Sequence, residues 1–363
     1  MAICVSIGGP NLYKESQPSN EILVGTINGV VHLTRSAASA PWREEGRTLE
    51  GKHVSALLIE PTRGTLFAGT HGDGIYASTD QGRSWTRKDQ GVGFSNIFTM
   101  NFVEGPDGLR LYAGTEPAHL YVSTDIGESW AELPALRSAP SLSQWTFPAP
   151  PHEAHVKVLA FDPRSPDTIY VGIEVGTLLK SEDRGQTFRE LSGFEPDIHR
   201  VMLSPVQPDR VLMTNGGGVY RSGDAGTTWE HLTDRTARIA YPDGLVVDPE
   251  RPEIVVVSGA ASSPGSAWLK AGTADPRIAR SRDAGTTWEL LERGLPEHIH
   301  GNIEALTMDR TPTGFALVAG TTDGDVFYSD DEGETWSKIA EGIGAVSKAG
   351  HYRGLMAAGR GAA

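Results

Sequence analysis

An all-β ring built from small antiparallel sheets is expected for this chain on three observations. A short turn motif recurs along it, pairs of apolar runs fill the space between the copies, and 363 residues suit a single ring of such units. A repeat at a fixed period governs the architecture before any local argument is made.

The turn reads Ser-x-Asp-x-Gly-x-Ser/Thr-Trp/Phe. It occurs as STDQGRSW from Ser78, STDIGESW from Ser123, SEDRGQTF from Ser181, SGDAGTTW from Ser222, SRDAGTTW from Ser281 and SDDEGETW from Ser329. A worn copy, TRSAASAPWRE, keeps Trp42 but has lost the Asp and Gly. The Asp carboxylate accepts from backbone N–H groups of its own turn, the Gly supplies a positive φ, and the aromatic packs beneath as an apolar plug. These aspartates are therefore read as structural. Before each copy lies a hairpin such as TLFAGTHGDGIYAS or FALVAGTTDGDVFYS, preceded by an apolar run such as HVSALLIEP or HVKVLAFDP, and after it a short strand such as TTWEHL. Four antiparallel strands per unit form a propeller blade. The prediction is an all-β, seven-bladed β-propeller with blades over residues 1–50, 51–93, 94–149, 150–193, 194–235, 236–295 and 296–343. The ring is expected to close with either MAICVSIGG at the start or GHYRGLMAAG, within 344–363, at the end.

On these motifs the chain resembles the Asp-box (BNR-repeat) β-propellers, a superfamily of sialidases, sortilin-type receptors, xyloglucan-active endoglucanases and a photosystem II assembly factor. The resemblance covers nearly the whole chain and implies the fold; it leaves function open, since enzymes, receptors and assembly factors share the frame.

Composition narrows the function. A net charge of −14 and the lack of basic clusters oppose nucleic acid and anionic membranes as partners. The start carries no basic region followed by an apolar stretch, and Cys4 alone excludes an internal disulfide, so a cytoplasmic location is expected. The Arg-Ile-Pro segment usual in sialidases is absent; Arg200, Arg238 and Arg353, with Tyr241 or Tyr352, are the only rim residues that approach a sialidase set. No nucleophile elbow, phosphate-binding Gly loop or Cys-pair metal motif occurs, and the glycines of TNGGGVY read as a hairpin turn.

Histidine placement points to one end of the ring. Nine of the eleven histidines, all but His32 and His231, map to loops or strand starts on the face opposite the box turns, here called the top. Aligning KHVSALLIEP with AHVKVLAFDP superposes His53 and His155, and His199 falls two residues along on the same strand face. EHIHGNIEALTMD is expected to bring His300 to the same approach. Convergent imidazoles suit a divalent Fe, Mn, Zn or Cu ion, so His53, His155, His199 and His300 are the expected metal ligands, with His71 and His351 in reserve. Solvated loop histidines are the structural alternative. Glu174 is the expected general base, Arg200 the group for substrate charge and Tyr241 a catalytic phenol. Glu116 on the same rim, and Trp145 and Trp268 in two long insertions, are expected to touch substrate; otherwise each Trp pins its own loop. The reading is a metal-dependent enzyme for a small organic substrate. Its alternatives are a non-catalytic scaffold gripping a protein partner and a glycan-active hydrolase.

Overall fold

The computed structural model describes residues 2–233, 238–264, 268 and 271–347. They form a β-propeller of four-stranded sheets. Innermost strands are His53–Ile59, Asn96–Gly105, Val156–Asp162, Ile198–Leu203, Tyr241–Val247 and Ile303–Thr311, and each is followed in chain order by three antiparallel partners. The His53 sheet, for example, continues through Leu66–His71, Gly74–Ser78 and Thr86–Arg87, and a single pair between His71 and Asn96 links it to the next sheet. Each innermost strand contacts the innermost strands of the neighbouring sheets. Apolar side chains accordingly gather between sheets, not in one central core. Leu23, Val54, Leu57 and Leu66 fill one gap, and Ile3, Val24, Val318 and Val326 fill the gap between the first and last sheets.

The start of the chain supplies the missing inner strand. Ile3–Val5 pairs with Glu21–Thr26 in parallel, so it runs opposite to every other inner strand. The chain then crosses the axis and descends as Leu12–Lys14, parallel to Met308–Arg310. Residues 6–11 fill the axis. Gly8 donates its N–H to the Ser55 carbonyl and accepts from the Met100 N–H, both at 2.9 Å. The Asn11 side chain donates to the carbonyls of Leu245 (2.8 Å) and Leu306 (3.0 Å). GHYRGLMAAG, the alternative closing segment, lies outside the described residues.

The box turns stitch neighbouring blades as well as closing their own. In the copy from Ser78, the Gly82 N–H reaches Ser78 Oγ (2.8 Å), while Asp80 accepts from the Ser84 N–H (2.9 Å) and hydroxyl (2.6 Å). The backbone turns left-handed over two residues, not one: Gln81 has φ 61° and Gly82 φ 82°. The box glycine lies against the preceding blade. A Cβ on Gly226, Gly285 or Gly333 would come within 2.8 Å of Leu191, Leu232 or Leu291. Where the box is worn, Arg35 takes over: its guanidinium donates to Asn20, Ser19, Ala38 and Tyr328 and lies 4.6 Å from the Trp42 ring centre.

Gly8 cannot accept a side chain, since a Cβ would sit 1.9 Å from the Phe98 carbonyl oxygen; at Gly46 nothing lies within 4 Å. Gly8→Ala is expected to lower stability by about 1–3 kcal/mol or more, as overpacking does, with Gly46→Ala near wild type in denaturant titrations. The box aspartates titrate low, because hydrogen bonds from their own turn hold the charged form: Asp224 and Asp283 both fall to about 2. A depressed carboxyl pKa adds stability that is full above the unfolded value of about 3.9 and is lost as pH falls through the folded one. Carboxyl-carbon NMR should therefore show both still ionised at pH 3, with midpoints near 2.

Candidate functional site

Each inner strand that enters from the top carries an irregularity at the same place. The register shifts between Val54 and Ala56, Ile97 and Thr99, Val156 and Val158, Ile198 and Arg200, Pro242 and Gly244, and Ile303 and Ala305. The inserted residues are Ser55, Phe98, Lys157, His199, Asp243 and Glu304. A bulge re-aims a side chain and breaks the alternation between faces. Two positions earlier, at the strand mouths, stand His53, Asn96, His155, Asp197, Tyr241 and Asn302. One backbone geometry thus presents two tiers of varied chemistry above the chain segment that fills the axis.

The acidic and basic groups of these tiers meet in one arc. His155 is fully buried, its Nε2 2.5 Å from Glu174 Oε2 and its Nδ1 3.5 Å from Glu116 Oε2. Lys157 Nζ is 3.3 Å from the same Glu174 oxygen, and His71 Nε2 is 3.3 Å from Glu116 Oε1. Both glutamates are buried, which is tolerable for a charge only when it is paired. The Phe98 ring stacks on His155 at 3.6 Å between centroids, and Phe147 covers it from the insertion at 5.1 Å. Further round, His199 Nδ1 lies 2.7 Å from the Pro242 carbonyl oxygen and its Nε2 3.4 Å from Asp197 Oδ2. Tyr241 donates its hydroxyl to Asp197 at 2.8 Å, and Asn302 donates to Asp243 at 2.6 Å. Asp197 and His71 are the partly exposed groups of this arc, with side chains 19% and 20% exposed.

The expected residues divide accordingly. His155, His199, Glu116, Glu174 and Tyr241 are brought together with His71. His53 stands at the edge, where its ring is 5.7 Å from that of His71 and its Nε2 meets the Ser347 carbonyl at 2.9 Å. His300 does not join. It is half exposed on Asp323 (2.7 Å), because Asn302, not His300, occupies the position equivalent to His53, two residues along. Arg200 is buried against the axis segment, donating to the carbonyls of Ile7 (2.5 Å) and Gly9 (3.3 Å). Burial lowers its pKa to about 10 despite Asp243 nearby. Its charge serves the axis and not an incoming ligand. Trp145 packs into the cluster between two blades, with its indole N–H on Ser141 (2.9 Å). Trp268 is buried edge-on to Tyr241 at 6.3 Å and donates to the Ser262 carbonyl. His351, Tyr352 and Arg353 lie outside the described residues. Arg238 is an exposed partner of Asp275 at 3.4 Å.

Lys157, Asp197, Asp243, Phe98 and Asn302 escaped the sequence reading. The signal that finds them is an alignment of the apolar residue opening each inner strand, which sets V-S-A, I-F-T, V-K-V, I-H-R, P-D-G and I-E-A in register. A cleft of about 790 Å³ bordered by Glu15, Glu21, Arg35, Glu45, Arg63 and Arg83 opens on the box-turn face, away from these groups. Among the described residues no helix is long and apolar enough to cross a membrane.

Repeated box turns, four-stranded blades and a common axis are the features of an Asp-box (BNR-repeat) β-propeller, and the chain is similar to members of that superfamily. The model of the BNR/Asp-box repeat matches residues 327–338. Curated relatives include xyloglucanase Xgh74A of Acetivibrio thermocellus, 28% identical over 40% of this chain and 21% of its own length. A xyloglucanase of a Paenibacillus species is 28% identical over 41% of this chain and 18% of its length. The chain therefore spans about a fifth of the relatives it matches. Among solved structures, an ancestral GH74 enzyme superposes with a TM-score of 0.61 at 16% identity, covering 79% of this chain and 38% of that one. YCF48 bound to D1 peptide superposes with a TM-score of 0.56 at 15% identity, covering 87% and 91%. At such identities these two structures speak to fold alone.

Proposed function

We propose that the protein is a seven-bladed propeller enzyme of hydrolase type, acting on a small organic substrate at the top end of its axis. The blade count is supported by the four-stranded units that run from the Ile3–Val5 sheet round to the Ile303–Thr311 sheet. The observation that carries the catalytic reading is the buried Glu116–His155–Glu174 array, at 3.5 and 2.5 Å, beside the solvent-touching Asp197. An imidazole between two carboxylates can relay a proton from one to the other, and such a relay supports general acid–base catalysis where one of its members reaches the substrate directly or through one water. Phe98 and Phe147 keep water from the imidazole, and Lys157 balances the charge of Glu174. Substrate would enter on the Asp197 side, where Tyr241 holds that carboxylate in place.

A second reading, hydrolysis of a glycan, is favoured by the 28% identity to xyloglucanases and by the paired carboxylates. Both readings make one prediction. On a panel of nitrophenyl esters, phosphates and glycosides together with xyloglucan oligosaccharides, wild-type protein turns over at least one compound, and Glu174→Gln, assayed well below its own lowered unfolding midpoint, reduces that rate by about 10²-fold or more. The responding compound class separates the two readings. Absence of turnover across the panel, or an unimpaired Glu174→Gln, contradicts both and leaves a protein partner on this face.

A further inference from the structure

Taking the top-face arc as the active site, we propose that Glu174, Asp197 and His199 together bind one divalent first-row transition ion. This is a one-imidazole, two-carboxylate set, and it differs from the four-histidine set expected from the sequence.

Three observations carry it. One donor atom from each of the three residues lies within 4.8 Å of the others. Ligands at about 2.0–2.2 Å from a shared ion sit about 3.4 Å apart at tetrahedral angles; His199 Nε2 and Asp197 Oδ2 already have that spacing, at 3.4 Å, and Glu174 closes on them by a shift of about 1 Å or less. His199 lies on the strand Ile198–Leu203 with Asp197 immediately before it, and Glu174 immediately follows the strand Ser165–Ile173 of the adjacent blade, so two strand ends position the set.

The second observation is the orientation of His199. A carbonyl oxygen only accepts, so the 2.7 Å contact with Pro242 places the imidazole hydrogen on Nδ1. Nε2 then faces Asp197 Oδ2 across 3.4 Å, and an Nδ1–H bound to a backbone carbonyl is the usual support of a metal-ligating histidine.

The third is the outer layer. Tyr241 donates to Asp197 at 2.8 Å, while His155 and Lys157 hold Glu174 at 2.5 and 3.3 Å. Each proposed ligand is therefore oriented by a group behind it. Imidazole with carboxylates suits Mn, Fe, Co or Zn. An ion held there would lower the pKa of a bound water.

The test uses untagged full-length protein stripped with EDTA and titrated with Co²⁺, followed by visible absorption and by elemental analysis after dialysis. One ion per chain is expected, with a ligand-field band near that of a mixed nitrogen and oxygen site. Affinity should fall about 10-fold or more in His199→Ala, Asp197→Asn and Glu174→Gln and stay unchanged in His300→Ala. Saturating Co²⁺ should raise the unfolding midpoint of wild type but not of Asp197→Asn. If His199→Ala fails to fold, Asp197→Asn at the solvent-touching carboxylate decides the matter. Folded wild type that takes up no Co²⁺, or Co²⁺ uptake that survives in folded Asp197→Asn, overturns the assignment. Since binding is read without turnover, an inactive protein that binds Co²⁺ through these residues refutes the enzymatic reading and keeps the ion site.

Discussion

The axis of this ring is occupied by its own chain, and the hydrogen bonds made there set the geometry of everything above it. Residues 6–11 donate to the carbonyls of Ser55, Leu245 and Leu306, accept from the Thr99 hydroxyl and the Met100 and Met308 N–H groups, and accept two more from Arg200. A propeller's inner strands otherwise face a polar channel, with backbone groups that need partners. Here Gly8 and Gly9 approach so closely that the strands are tied to one another through them. A buried guanidinium, costly by itself, is stabilised by the two carbonyls it caps.

That floor explains why the chemistry sits where it does. Bulges at one height on successive blades turn six side chains off the normal alternation, and the mouth residues two positions earlier form a second tier. The blades share a backbone and differ in what they present: a serine hydroxyl, a phenyl ring, an ammonium, an imidazole and two carboxylates. Varying side chains on a constant frame is how a repeat fold acquires a local function without disturbing its packing. The buried charges are balanced in pairs across neighbouring blades, Glu116 and Glu174 by His155 and Lys157. Strain or loss at one blade therefore reaches the next.

Much of the frame was legible from residues alone. The box turns are local devices whose Ser, Asp, Gly and aromatic each act within eight residues, so spacing reveals them. His53 and His155 both stand two residues before a bulge, at matching places ahead of similar apolar runs. His300 failed because a polar loop was matched by residue type; matching the apolar residue Ile303 puts Asn302 at that place. The axis segment was invisible for a different reason. SIGGPN has neither strand nor turn pattern of its own, and its role comes from carbonyls and amides of strands up to 295 residues away. Arg200 looked like a free rim charge for the same reason, because its partners are carbonyls that no side-chain pattern records. The aromatic cover is Phe147, not Trp145, from one insertion. Trp145 is drawn instead into the apolar gap between blades, where its indole finds both packing and an acceptor.

Amide hydrogen exchange at the axis tests this account most directly. The Gly8, Met100 and Met308 N–H groups join the axis segment to three different blades. If the segment is integral to the ring, these amides exchange only through global unfolding, with the same opening free energy as the inner-strand amide of Val201. Exchange of Gly8, Met100 and Met308 orders of magnitude faster than Val201 would mean that the ring stands without its plug, and would contradict the claim that the floor of the site is set there.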